Sequence, residues 1–237
     1  MKRSMSEILK QFRAFWWGDR GLSTLLILLL PAMFIVPLLD SDLARFLFAV
    51  LFSALLVSGV TNISSRRLPR FAAAALSGST IAILWLNELH PVPALTAWAV
   101  FLSLLCFLLL AMVILRQVFM DGPVTVTRIK GAMAVYILIG FSWSYIYQLI
   151  DLQIPGAFNL PHSTTAPNDI RHSADLTYFS FVTLTTLGYG DITAVHPISR
   201  MFVIIEALIG QLYPATLLAR LVSLEIMHRE KQHADTT

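Results

Sequence analysis

The sequence predicts an all-α membrane protein, and three observations predict it. Hydrophobic residues make up 57% of the chain and charged residues 13%, about half the roughly 25% charged content of soluble domains. The apolar residues arrive in blocks long enough to cross a bilayer's hydrocarbon layer as helices. The basic residues gather in alternate connections between those blocks, the asymmetry that orients a chain in a membrane. The net charge of +3 therefore reports sidedness, and the expected surroundings are a lipid bilayer, with no nucleic-acid partner. The single cysteine, Cys106, lies mid-block between Leu105 and Phe107. It can form no intrachain disulfide and reads as a buried structural thiol.

Six transmembrane helices are predicted, at 22–39, 43–62, 71–88, 94–118, 132–150 and 197–224. Ahead of them, residues 1–20 carry Met5, Ile8, Leu9, Phe12, Phe15 and Trp16 at helical spacing among Lys2, Arg3, Lys10, Arg13 and Arg20. That pattern predicts an amphipathic segment lying on the cytoplasmic face, and no cleaved signal peptide is expected. With the N-terminus inside, fourteen of the 17 basic residues are cytoplasmic, and only Arg45, Arg171 and Arg200 remain outside. Both termini are thus expected in the cytoplasm of a cell's plasma or inner membrane. The predicted organisation is a cytoplasmic segment over 1–20, a four-helix region over 21–118 and a linker over 119–131. A two-helix unit over 132–226 and a short tail over 227–237 complete it. Asp121-Gly122-Pro123 reads as a break in the linker.

The fifth and sixth spans are separated by about 46 residues, far more than any other pair. A polar outer loop is expected from Asp151 to Ala174, holding His162 and His172, which either titrate near neutrality or are simply solvated. An apolar helix follows at 175–185, too short to span, with Asp175 as its N-cap. Non-helical backbone at membrane depth survives only where protein buries it or water bathes it, so this helix is expected to dip in and an extended strand to return. Such a helix aims the negative end of its dipole inward and favours a cation there. The returning strand is Thr185-Thr186-Leu187-Gly188-Tyr189-Gly190-Asp191. Its glycines can take backbone angles that ordinary L-residues reach only at a cost.

In these residues the chain resembles the potassium-channel pore family, over roughly 132–224 and most specifically over 181–191. The resemblance implies a re-entrant pore helix and a selectivity filter of Thr186, Leu187, Gly188, Tyr189 and Gly190 whose oxygens replace the water shell of K+. K+ would bind at Thr186, Leu187, Gly188 and Tyr189, as permeant ion and not as cofactor. Thr185 and Asp191 would support the filter and its mouth, and Tyr178 and Phe179 would pack around the filter tyrosine. Leu187 stands where valine is commonest in the family. Val182 stands where some members carry a carboxylate, whose influence does not transfer. One filter strand per chain implies a homotetramer; an auxiliary subunit stays open.

Three residues of the last span are candidates for gating. Pro214 removes the backbone hydrogen bond to the Gly210 carbonyl, which predicts a kink. Gly210 matches the family's hinge glycine, and its alternative is a fixed bend set by packing. Glu206 is the one acidic residue deep in a span, where a charge must face protein or water. It reads either as a proton-sensitive partner of the short helix, near Ser180 or Thr183, or as a structural carboxyl bonded to backbone or hydroxyls. Residues 95–115 hold no basic residue, so weak voltage dependence is expected. The tail from Met227 to Thr237 is too short for a nucleotide- or calcium-binding domain.

The expected function is passive, potassium-selective conduction by a non-enzymatic protein. A less selective monovalent cation channel and a non-conducting subunit or scaffold are the alternatives. An intramembrane aspartyl protease is remote: Gly188 to Asp191 fits its G-x-G-D motif, but no span supplies the second buried aspartate that chemistry needs.

Overall fold

The computed structural model describes residues 26–31, 46, 49–54, 56, 67–90, 92–120, 124–160 and 170–234. The N-terminal amphipathic segment, the Asp121-Gly122-Pro123 turn and His162 lie outside the described residues. So does most of the first two predicted spans, of which 26–31 and 49–54 are helical.

From residue 67 onward the order is α1 (Arg67–Leu89), α2 (Pro93–Phe119), α3 (Val126–Gln153), β1 (Phe158–Asn159), α4 (Ile170–Leu184), β2 (Thr193–Ala194) and α5 (Pro197–Ala234). Three helices among the described residues are long and apolar enough to cross a bilayer: Pro93–Phe119, Val126–Gln153 and Pro197–Met227. Helix α1 occupies the third predicted span, but its apolar stretch, Ala73–Asn87, is shorter than the ~18 residues a span ordinarily needs.

Local chemistry sets the helix ends. Pro93 opens α2 after an extended Val92, where its missing N–H loses nothing and its φ already suits a helix. Arg116 sits in the last turn of α2, favourably placed against the helix dipole. At the start of α3 the Thr125 side chain accepts from the Arg128 N–H, relieving one of the orphan donors of the first turn. Pro197 opens α5, and the His196 Nδ1 accepts from the Ile198 N–H at 3.2 Å.

The main core lies between α2 and α3. Phe107 stacks on Phe141 with ring centroids 5.5 Å apart, and Tyr145 and Phe52 close the cluster. Cys106 is buried here, with its sulfur 3.3 Å from the Thr80 hydroxyl of α1. A second core gathers Trp143, Tyr147, Phe158, Leu176, Phe179 and Ile192 around the junction of α3, β1 and α4. The two short strands pair antiparallel, Phe158 opposite Ala194 and Asn159 opposite Thr193. The Ala157 carbonyl accepts from the Val195 N–H at 2.9 Å and from the Ser199 hydroxyl at 2.9 Å. The chain leaving the glycine motif is thereby stapled to the chain leaving α3.

Several predicted boundaries are corrected. The short helix begins at Ile170 and not at 175, so Asp175 lies inside it and does not cap it. Asp151 belongs to α3 and His172 to α4, not to a loop. Helix α3 starts at Val126, six residues ahead of the predicted span, and α5 continues to Ala234. Tertiary partners explain the longer α4: His172 and Ser173 find hydrogen-bonding groups on α3, which a sequence window does not see.

Candidate functional site

Helix α4 is held against α3 by a ladder of polar pairs. The Ser144 and Thr177 hydroxyls are 2.7 Å apart, and the Gln148 amide donates to Ser144 at 3.2 Å. The Ser173 hydroxyl donates to Gln148 Oε1 at 3.3 Å, and His172 Nε2 lies 3.0 Å from Asp151 Oδ2. Asp151 Oδ1 is buried with no hydrogen-bond partner. At the inner end of the ladder Ser180 Oγ lies 2.7 Å from the Gly140 carbonyl. Gly140 permits that approach, since a Cβ there would stand 2.5 Å from Phe181 Cε1. The expectation of a solvated His172 therefore fails: it is buried against Asp151.

Helix α5 closes the other side of α4. A Cβ on Gly210 would stand 1.9 Å from the Leu184 carbonyl oxygen, so the two backbones touch at the C-terminus of α4. The same carbonyl accepts from Tyr136 Oη at 3.1 Å. Tyr136 stacks on Tyr213 with centroids 5.9 Å apart, and Tyr213 donates to the Ala132 carbonyl at 2.9 Å. Helix α5 remains helical through Pro214. One turn N-terminal to Gly210, Glu206 is fully buried. Its Oε1 lies 2.6 Å from Ser180 Oγ, and Tyr147 Oη donates to its Oε2. Ser180 is thus one of the two partners anticipated for Glu206; Tyr147 was not foreseen.

The Thr185–Asp191 stretch leaves α4 through a turn at 185–186 and continues as irregular chain. Thr186, Gly188 and Gly190 have φ of 57°, 57° and 78°, so every second residue is left-handed. For glycine this conformation is freely available; for a β-branched threonine it is strained by roughly 1–3 kcal/mol. The turn that opens the stretch is over-determined by the end of α4. The Thr186 N–H donates to the Thr183 carbonyl at 2.9 Å, and the Leu187 and Gly188 N–H groups donate to the Val182 carbonyl at 2.9 and 3.3 Å. From α5, Gln211 Nε2 donates to Thr186 Oγ1 at 3.2 Å. No feature of the sequence had singled out Gln211.

Within one chain this stretch is bare. Leu187 is 55% and Tyr189 67% exposed. Phe179 is buried in its own chain against Tyr147 and Phe158, at 5.3 and 5.6 Å. Tyr178 instead faces the stretch. The Asp191 carboxylate lies beside it. Of the two aromatic residues expected near Tyr189, the structure brings up Tyr178 and turns Phe179 inward.

The fold and this site define a membrane protein with a short helix and a glycine-rich return between two long apolar helices. Residues 157–225 match the family model described as "Ion channel". This segment is similar to the ion channel family, and the resemblance to potassium-channel pores holds there. Two curated relatives are called Protein LctB: that of Geobacillus stearothermophilus is 36% identical over 85 residues, and that of Bacillus caldotenax 31% over 85 residues. Each alignment takes in 36% of this chain and 61% of the relative. The Two pore potassium channel c of Oryza sativa subsp. japonica is 41% identical over 70 residues, 30% of this chain and 14% of its own. No solved structure matches the chain. The family match begins at 157, after α3, whereas the sequence reading carried the resemblance back to 132. It points to a non-enzymatic protein.

Proposed function

We propose that this chain forms a potassium-selective channel, conducting passively through a homotetrameric pore in the plasma or inner membrane with both termini cytoplasmic. The single observation that carries the reading is the alternation of left-handed residues at 186, 188 and 190 directly after the C-terminus of α4. Alternating hands turn successive peptide planes so that the carbonyls of Thr186, Leu187, Gly188 and Tyr189 line one side of the stretch. With the Thr186 hydroxyl they make a column of oxygens that can replace the water around K+. Asp191 stands at the mouth of that column. The rice relative's name, Two pore potassium channel c, supports the choice of ion.

Exposure supports the tetramer. Only 11% of the apolar window of α5 is buried within the chain, against 50% for α2 and 61% for α3. The stretch 185–191 is exposed along its whole length, and backbone polar groups at membrane depth must be covered by protein or water. Three further copies around a four-fold axis would cover its flanks and leave its oxygens facing the axis. Gating movement is assigned to α5 at Gly210 and Pro214, with Glu206 tying that helix to the pore helix α4. The test is the purified chain in liposomes, with reversal potentials measured in opposed K+ and Na+ gradients. A reversal potential near the K+ equilibrium value is expected. Equal permeability would convert the reading to a non-selective cation channel, and an absence of flux to a scaffold.

A further inference from the structure

Two adjacent threonines end the pore helix, and their hydroxyls are treated differently. Thr185 Oγ1 donates back to the Phe181 carbonyl at 2.6 Å, the ordinary local bond of a threonine in a helical turn. Thr186 is left-handed, with φ 57°, and its hydroxyl is not returned to the helix. It is held by the Gln211 amide of α5 at 3.2 Å. Gln211 reaches it because Gly210, the residue before, lets the α5 backbone touch the Leu184 carbonyl. Both threonine and glutamine are exposed in the single chain. The bond thus belongs to the surface that the proposed pore would line.

We propose that Gln211 is a positioning residue for the innermost oxygen ring of the filter, holding the Thr186 hydroxyl so that a lone pair faces the ion. This rests on the conduction path proposed for 186–190. A threonine hydroxyl offers one proton and two lone pairs. With the amide N–H occupying one lone pair, the other is directed by geometry and not by free rotation about χ1. Without that donor the hydroxyl is free to turn back to a helix carbonyl, as Thr185 does, and one oxygen per subunit leaves the ion's coordination. A dehydrated K+ and a smaller Na+ depend differently on the number and placement of such oxygens, so the loss appears first as loss of discrimination.

The experiment compares wild type, Gln211→Ala, Gln211→Glu, Thr186→Val and the Thr186→Val/Gln211→Ala pair as full-length tetramers in liposomes. Gln211→Ala is expected to keep K+ flux while its K+ over Na+ permeability ratio falls about tenfold, the scale of one lost hydrogen bond. Gln211→Glu keeps the length but cannot donate, and is expected to lose discrimination as well. The pair is expected to match Thr186→Val alone, because the amide then has no hydroxyl to hold. A wild-type ratio in Gln211→Ala, or losses that multiply in the pair, would overturn the assignment. Thermal melting across a K+ series separates this from the conduction reading. If wild type carries no flux yet is stabilised by K+, conduction fails. The midpoint K+ concentration then decides: about tenfold higher in Gln211→Ala supports the contact, and an unchanged midpoint overturns it. Wild type that neither conducts nor responds to K+ overturns both.

Discussion

The glycines of this chain are small for different reasons, and substitution separates them. Gly188 and Gly190 have open space around a notional Cβ, so what they supply is conformation, at φ of +57° and +78°. Gly210 supplies proximity, since the atom it would meet is a backbone oxygen at 1.9 Å that cannot rotate aside. Gly210→Ala must push α5 off the end of α4, and it is expected to lower stability by about 1–3 kcal/mol as an overpacked core residue. A melting temperature in detergent equal to wild type would refute this. Gly140 meets the edge of a side chain instead, Phe181 Cε1 at 2.5 Å. Gly140→Ala should therefore be rescued in large part by Phe181→Leu, whereas no side-chain change rescues Gly210→Ala. The sequence had marked Gly210 as a hinge or a packing residue, and its close contact gives it a packing reason whether or not α5 bends there.

Between elements, the bonds that matter are polar and buried. Glu206 of α5 meets Tyr147 of α3 and Ser180 of α4, so one carboxyl ties three helices together. An amide at 206 can still donate to Ser180 and accept from Tyr147. Glu206→Gln is therefore expected to stay within about 1 kcal/mol of wild type, while Glu206→Ala strands the Tyr147 hydroxyl, leaves Ser180 only the Gly140 carbonyl, and loses about 1–3 kcal/mol. Unchanged conductance and pH response in Glu206→Gln would remove any proton-sensing role. The His172–Asp151 pair makes a parallel case at the N-terminal end of α4. Removing the imidazole in His172→Ala leaves a carboxylate whose other oxygen is already buried without a partner. A loss of about 1–3 kcal/mol is expected, and thermal stability unchanged from wild type would show that the pair contributes nothing. Serines, threonines and Gln148 at helical spacing along α3 and α4 were visible as letters. That they face one another was not, because spacing within one helix carries no information on which helix lies opposite.

At the scale of the molecule, the chain looks incomplete as a monomer. The stretch 185–191 and most of the apolar surface of α5 are exposed, whereas α2 and α3 bury about half or more of theirs. Cross-linking or mass determination in mild detergent is expected to find four copies, and a stable monomer that conducts would sink the tetrameric pore. Helix α2, in the place of the predicted fourth span, holds Arg116 as its one basic residue. One charge moved through the field supplies only about 2.3 kcal/mol per 100 mV. Open probability is accordingly expected to change little over tens of millivolts, and a many-fold rise across that range would refute it.

Composition and pattern were enough for the class of protein, the long apolar helices from residue 93 onward and the glycine-rich return between the last two. Those features follow from bilayer thickness and from backbone angles that few residues tolerate, and both act locally along the chain. Partner choice was decided elsewhere. That α4 starts at Ile170, that Phe179 turns inward while Tyr178 turns toward Asp191, and that Gln211 reaches Thr186 all depend on what packs across each helix. The threonine of the glycine motif shows the division within one residue. Its place in the motif was legible in sequence, but its left-handed backbone and the amide holding its hydroxyl arise only when α5 closes on the end of α4.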